Sequence, residues 1–70
     1  MALSQIPPDV GTRYRHRDAA YMVWEVSAQY AGVDGLQYIV LRNLSDLTWQ
    51  KTLSLSELMR GRQYTRLPVG

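Results

Sequence analysis

From Tyr21 to Tyr30 the chain alternates. Met22, Trp24, Val26, Ala28 and Tyr30 fall on one side of an extended backbone, with Val23, Glu25, Ser27 and Gln29 on the other. Successive side chains of a strand point to opposite faces, so this period of two predicts a strand with one buried face. It is the strongest structural signal in the sequence. "AGVDGL" follows, in which Asp34-Gly35 predicts a hairpin turn whose two central residues take positive φ. Residues 37–43, "QYIVLRN", are apolar on both sides, through Tyr38 and Val40 against Ile39 and Leu41. That is the pattern of a central strand covered on both faces. "LSDL" makes a second turn, and "TWQKTLS" predicts a strand with Trp49, Lys51 and Leu53 on one side. The three segments predict an antiparallel meander.

The flanks add two shorter strands. "GTRYRHRD", residues 11–18, read as a strand, sends Arg13, Arg15 and Arg17 to one side and Tyr14 and His16 to the other. After the meander, Ser54-Leu55-Ser56-Glu57 forms a capping box that opens a short helix through Leu58 and Met59. Gly61 is placed to end it in the left-handed region. "RQYTRL", residues 62–67, predicts a last strand before Pro68. Pro7-Pro8 denies two backbone donors, so residues 1–10 are expected to be an extended or disordered arm. Docked across a neighbouring copy as a polyproline II segment, such an arm would make a homodimer. The expected organisation is therefore arm 1–10, one domain over 11–67, and a tail at 68–70.

Seventy residues support one domain, and a chain of this size buries only roughly 60% of its unfolded surface. With no cysteine, a disulfide scaffold and a cysteine-ligated zinc site are both excluded. Four or five short strands with a helix before the last predict a mostly β fold, an SH3-like small antiparallel barrel. Closure would protect the edges that a short meander exposes. Five tyrosines and two tryptophans with no phenylalanine suit such a core, because their polar tips reach water at its margin.

The succession "GTRYRHRD…VWEV…YIVLRN…WQKTLSLSELM…YTRL" resembles a group of small bacterial and phage SH3-like proteins of unassigned function. In that group a tyrosine-x-histidine precedes a V-x-V strand, and a tryptophan strand leads into a short helix and a closing arginine strand. The resemblance spans most of residues 11–67 and implies a fold without carrying over any functional residue. Two other barrels of this size differ from it. Gln37-Tyr38-Ile39 does not reproduce the order of the pore motif of plasmid-borne type II dihydrofolate reductases. The first strand pair likewise lacks the glycine that typifies a KOW hairpin.

Chemistry narrows the rest. There is one histidine and no cysteine, and the acids are scattered, with Asp34 assigned to a turn and Glu57 to a cap. A hydrolytic triad needs convergent groups, and a metal site needs three or more ligands. No catalytic residue, metal site or cofactor is therefore expected. His16 is read as a structural side chain near Asp18, and an enzyme would have to rest on an oligomeric pore. Asn43-Leu44-Ser45 matches the glycosylation pattern by chance. With no leader pattern and no spanning segment, a cytoplasmic protein away from the membrane is expected, with no small-molecule ligand.

Arginine supplies seven of the eight basic residues against six acids, a net charge of +2. Arginine binds phosphate bidentately and stacks on bases. Arg13, Arg15 and Arg17 rise about 6.6 Å apart along a strand, a spacing suited to successive phosphates. Arg60, Arg62 and Arg66 would extend that patch if the first and last strands lie together, and Tyr14 and Tyr64 would add stacking platforms. The same row is also how an edge strand avoids unwanted pairing. The expected role is a small non-enzymatic binding module that recognises a protein partner, or a second copy, through exposed aromatic and arginine residues. Nucleic-acid binding through the arginine face is the alternative. The arginines become a site only if Arg60, Arg62 or Arg66 joins the first row in space.

Overall fold

The computed structural model describes residues 8–68. Its strands are β1 (Arg13–His16), β2 (Val23–Ala31), β3 (Gln37–Asn43), β4 (Gln50–Ser54) and β5 (Tyr64–Arg66). The helix α1 (Leu55–Met59) lies between β4 and β5. They form one antiparallel sheet in the order β4-β3-β2-β1-β5. Thus β2 to β4 make the expected meander, and the first strand lies between the second and the last. β4 and β5 are the two edges, and the sheet is open.

One face of this sheet carries the core. Tyr14, Trp24, Val26, Ile39, Leu41 and Tyr64 are buried there with Leu58 of α1, and Met22, Leu53 and Leu55 pack around them. Fully burying one such aliphatic side chain contributes about 1.5–3 kcal/mol. Of the two tryptophans, Trp24 is the core residue at 1% exposure, whereas Trp49 stays 41% exposed and meets it edge to face at 5.1 Å. β3 buries only one side completely. Ile39, Leu41 and Asn43 are buried, while Tyr38, Val40 and Arg42 on its other side are half-buried.

The alternation of β2 does not run its full length. Trp24 pairs with Asn43 and Val26 with Leu41, but Ala28 pairs with Val40, leaving Ser27 without an opposite residue. This is a β-bulge, and one extra residue flips every later side chain to the other face. Ala28 and Tyr30, expected in the core, are consequently exposed. Gln29 takes the core-side register opposite Ile39 instead, and its amide Nε2 donates to the carbonyl of Pro8. Pro8 is itself buried. The remainder of the expected arm, residues 1–7, lies outside the described residues. Ser27 ties the bulge down by donating from Oγ to the Val40 carbonyl at 3.2 Å.

The β2–β3 turn also differs from expectation. Only Gly35 has positive φ, at 83°, and Asp34 does not. The loop spans five residues between the Ala31–Gln37 pair, closed by Gly32 N–H to Leu36 O at 2.7 Å and Gly35 N–H to Gly32 O at 3.0 Å. Asp34 serves as an acceptor, taking the Leu36 N–H at 3.0 Å and the Tyr38 hydroxyl at 2.5 Å. The Tyr38 hydroxyl holds the Asp34 carboxyl below its ordinary range, and the Tyr38 phenol is raised in return.

The helix follows the sequence closely. Ser54 Oγ accepts the Glu57 N–H at 3.2 Å, and Gly61, at φ +71°, ends it. Glu57 does not complete the reciprocal half of the box; its carboxylate pairs with Arg60 at 3.2 Å. Asn43 is buried, and its Oδ1 accepts the N–H groups of Ser45 and Asp46 at 2.8 and 3.1 Å, fixing the β3–β4 turn. Among the described residues no helix is long and apolar enough to cross a membrane.

Candidate functional site

The first row of arginines divides by partner. Arg13 sits opposite Glu25 on β2 and donates to its carboxylate at 3.2 Å. Arg42 of β3 reaches the same carboxylate at 2.8 Å, so three adjacent strands are linked across the outer face. Arg42 first, with Arg13 adding to it, holds the Glu25 carboxyl below its usual range. Arg13 is thereby used within the fold.

Arg15 and Arg17 go elsewhere. Arg15 is paired with Val23 on one side and Thr65 on the other, and its Nη1 donates to the Ala20 carbonyl at 2.9 Å. Arg17 lies just beyond β1, where its backbone N–H donates to Gln63 O at 2.7 Å. That bond extends the β1–β5 pairing toward Arg62. Arg15, Arg17 and Arg62 then line one open groove of about 580 Å³ with His16, Ala20, Gly61, Thr65 and Leu67. Among the described residues, no carboxylate lies within ion-pair distance of these three guanidinium groups.

Two of the remaining arginines stand outside this groove. Arg60 caps α1 and pairs with Glu57. Arg66 is half-buried opposite Tyr14 and lines a small crevice of about 30 Å³ with Tyr14, Leu58, Met59, Gly61 and Tyr64. Tyr14 and Tyr64 are core residues at 4% and 5% exposure, so neither offers a ring face for stacking. Burial pushes both phenols up.

His16 Nδ1 accepts the backbone N–H of Asp18 at 3.0 Å, and its ring meets Tyr64 edge to face at 5.0 Å. Both contacts hold the imidazole at the rim of the groove. Chemically the groove is a cationic recess with apolar walls at Ala20 and Leu67 and a hydroxyl at Thr65. It suits an anion carried on an extended ligand. Ala20, Thr65 and Leu67 carry no direct signal in the sequence, because the β1–β5 register brings Thr65 and Leu67 to the groove and the Arg15 bond to its carbonyl brings Ala20. Comparison with protein-family models, with curated proteins and with solved structures finds no match for this chain.

Proposed function

We propose that this chain is a small non-enzymatic binding module whose groove engages the phosphate backbone of nucleic acid. The observation that carries the reading is the convergence of Arg15, Arg17 and Arg62, without ion-pair partners among the described residues, around one open groove. A guanidinium without an ion-pair partner is ready to exchange hydration for a phosphate contact. Three such contacts imply a salt dependence with a log–log slope of about −2 to −3, and no strong base preference. A cytoplasmic, SH3-like barrel goes with this proposal. The first strand's place between the second and the last, and the short helix leading into the last strand, support that fold reading.

The test is fluorescence anisotropy with labelled random-sequence DNA, single-stranded and duplex, at low and then physiological salt. Micromolar binding at low salt is expected, weakening as salt rises and disappearing in Arg15→Ala/Arg17→Ala/Arg62→Ala. Arg60→Ala, outside the groove, should bind as wild type does. Absence of binding at low salt, or binding indifferent to the triple substitution, overturns the proposal.

A protein partner is the second reading, favoured by a different observation. Trp49 is 41% exposed where the chain enters the edge strand β4, with Lys51 Nζ lying 5.6 Å from its ring centroid. Tryptophan edged by a cation is a common interface anchor. Binding through it would survive high salt and be lost in Trp49→Ala, the opposite of the pattern expected for the groove.

A further inference from the structure

The connection from β1 to β2 ends in a turn closed by Met22 N–H to Ala19 O at 2.9 Å, which puts Ala20 and Tyr21 at its tip. This tip reaches the groove through Ala20. Ala20 lines it, and the Arg15 guanidinium grips the Ala20 carbonyl at 2.9 Å. Tyr21, the next residue, is 79% exposed.

The aromatic rings elsewhere are committed. Tyr14 is buried, His16 meets Tyr64, Trp24 meets Trp49, and Tyr30 stacks on Tyr38 at 5.5 Å. Among the described residues Tyr21 is the aromatic side chain that is both exposed and without a ring contact. An exposed tyrosine one residue from the groove-lining Ala20, with three arginines of that groove lacking ion-pair partners among the described residues, is the pairing of features that single-stranded nucleic acid uses. Cationic groups follow the backbone while an unpaired base stacks on the ring. A duplex keeps its bases stacked on one another and presents only their edges, so it would leave Tyr21 unused.

Resting on the phosphate reading above, we infer that the groove takes single-stranded nucleic acid and that Tyr21 is its base-stacking platform. Arg15 then acts twice in this assembly. It contributes charge to the groove, and through the Ala20 carbonyl it holds the turn that carries the ring.

The experiment is anisotropy at low salt with labelled oligothymidylate and with a labelled duplex of the same length. Wild type should bind the single strand more tightly. Tyr21→Ala should weaken single-strand binding about tenfold, the loss of one stacked base, and leave duplex binding unchanged. Tyr21→Trp should restore it. Each variant should keep the wild-type urea midpoint, since the side chain is exposed. Equal affinity for the two probes, or a Tyr21→Ala variant within twofold of wild type on the single strand, overturns the inference. If the triple arginine variant loses both probes while Tyr21→Ala loses neither, stacking is rejected and the phosphate reading stands. If wild type binds neither probe, both readings fall.

Discussion

Glu25 of β2 accepts a 2.8 Å hydrogen bond from Arg42 of β3, and this pair anchors the outer face of the sheet. The Glu25 side chain is only 13% exposed, while its two arginine partners are about half in water. Screening limits such a network to about 0.5–1 kcal/mol. The carboxyl titrates below its unfolded value, so its contribution is fully present above the unfolded carboxylate range. It is lost as pH falls through the lowered folded value. Glu25→Gln should therefore reduce the urea midpoint at neutral pH, and the gap from wild type should close on acidification. A gap independent of pH would count against the network.

Ser27 is the residue that changes the register of β2. Ser27→Ala removes one hydrogen bond to Val40 O, a loss of about 1 kcal/mol. Deleting Ser27 is a different perturbation: it removes the extra residue, so Val26 and Ala28 become consecutive opposite Leu41 and Val40, and Ala28, Gln29 and Tyr30 each keep their face in a regular ladder. The expected outcome is a cooperative urea transition for both variants. A deletion variant without a cooperative transition would refute the bulge.

Gly32 and Gly35 lie in one loop and are required for different reasons. A Cβ on Gly32 would stand 2.5 Å from Tyr38 Cε2 and 2.7 Å from Asp34 Oδ1, whereas one on Gly35 would meet nothing within 4 Å. Gly32→Ala should thus cost about 1–3 kcal/mol through the clash, and Tyr38→Ala made with it should relieve part of that, the approach to Asp34 Oδ1 remaining. Gly35→Ala suffers from its positive φ and should cost about 1 kcal/mol whatever occupies position 38. Thermal unfolding of the single and double variants separates the two cases.

Asn43 holds the β3–β4 turn with its side-chain oxygen, whereas Ser45 contributes only a backbone N–H there. Asn43→Ala leaves two N–H groups without their acceptor and should cost about 1–3 kcal/mol. Ser45→Ala, which also breaks the Asn43-Leu44-Ser45 pattern, should stay within about 0.5 kcal/mol of wild type. Equal losses in both would contradict the buried role of Asn43.

The parts of this molecule governed by local rules were legible. β3 spans the expected residues, Ser54 caps α1, and Gly61 ends it in the left-handed region. Trp49, Lys51 and Leu53 share a side, as their spacing predicts: Lys51 and Leu53 lie opposite the core residues Leu41 and Ile39. What the pattern could not give depends on contacts distant in sequence. Ser27 looks like any polar strand residue, and only the pairing with β3 makes it a bulge. Asp34-Gly35 carries a two-residue turn signal, but Gly32 lets Tyr38 approach and a five-residue loop forms instead. For the groove, the arginines were visible in the sequence while their sorting was not. Glu25 draws Arg13 aside, Glu57 draws Arg60, and the β1–β5 register places Arg62 beside Arg15 and Arg17.

The extra residue in β2 also bears on how this sequence can drift. The Tyr30–Tyr38 stack is outside the core only because Ser27 shifts the count by one. Selection at this point therefore acts on chain length before it acts on side-chain identity. Divergent copies should tolerate many residues at position 27, or its loss, and almost no single-residue insertion between Ala28 and Ala31. A compensating change of length on β3, opposite the bulge, is the route by which such an event would survive.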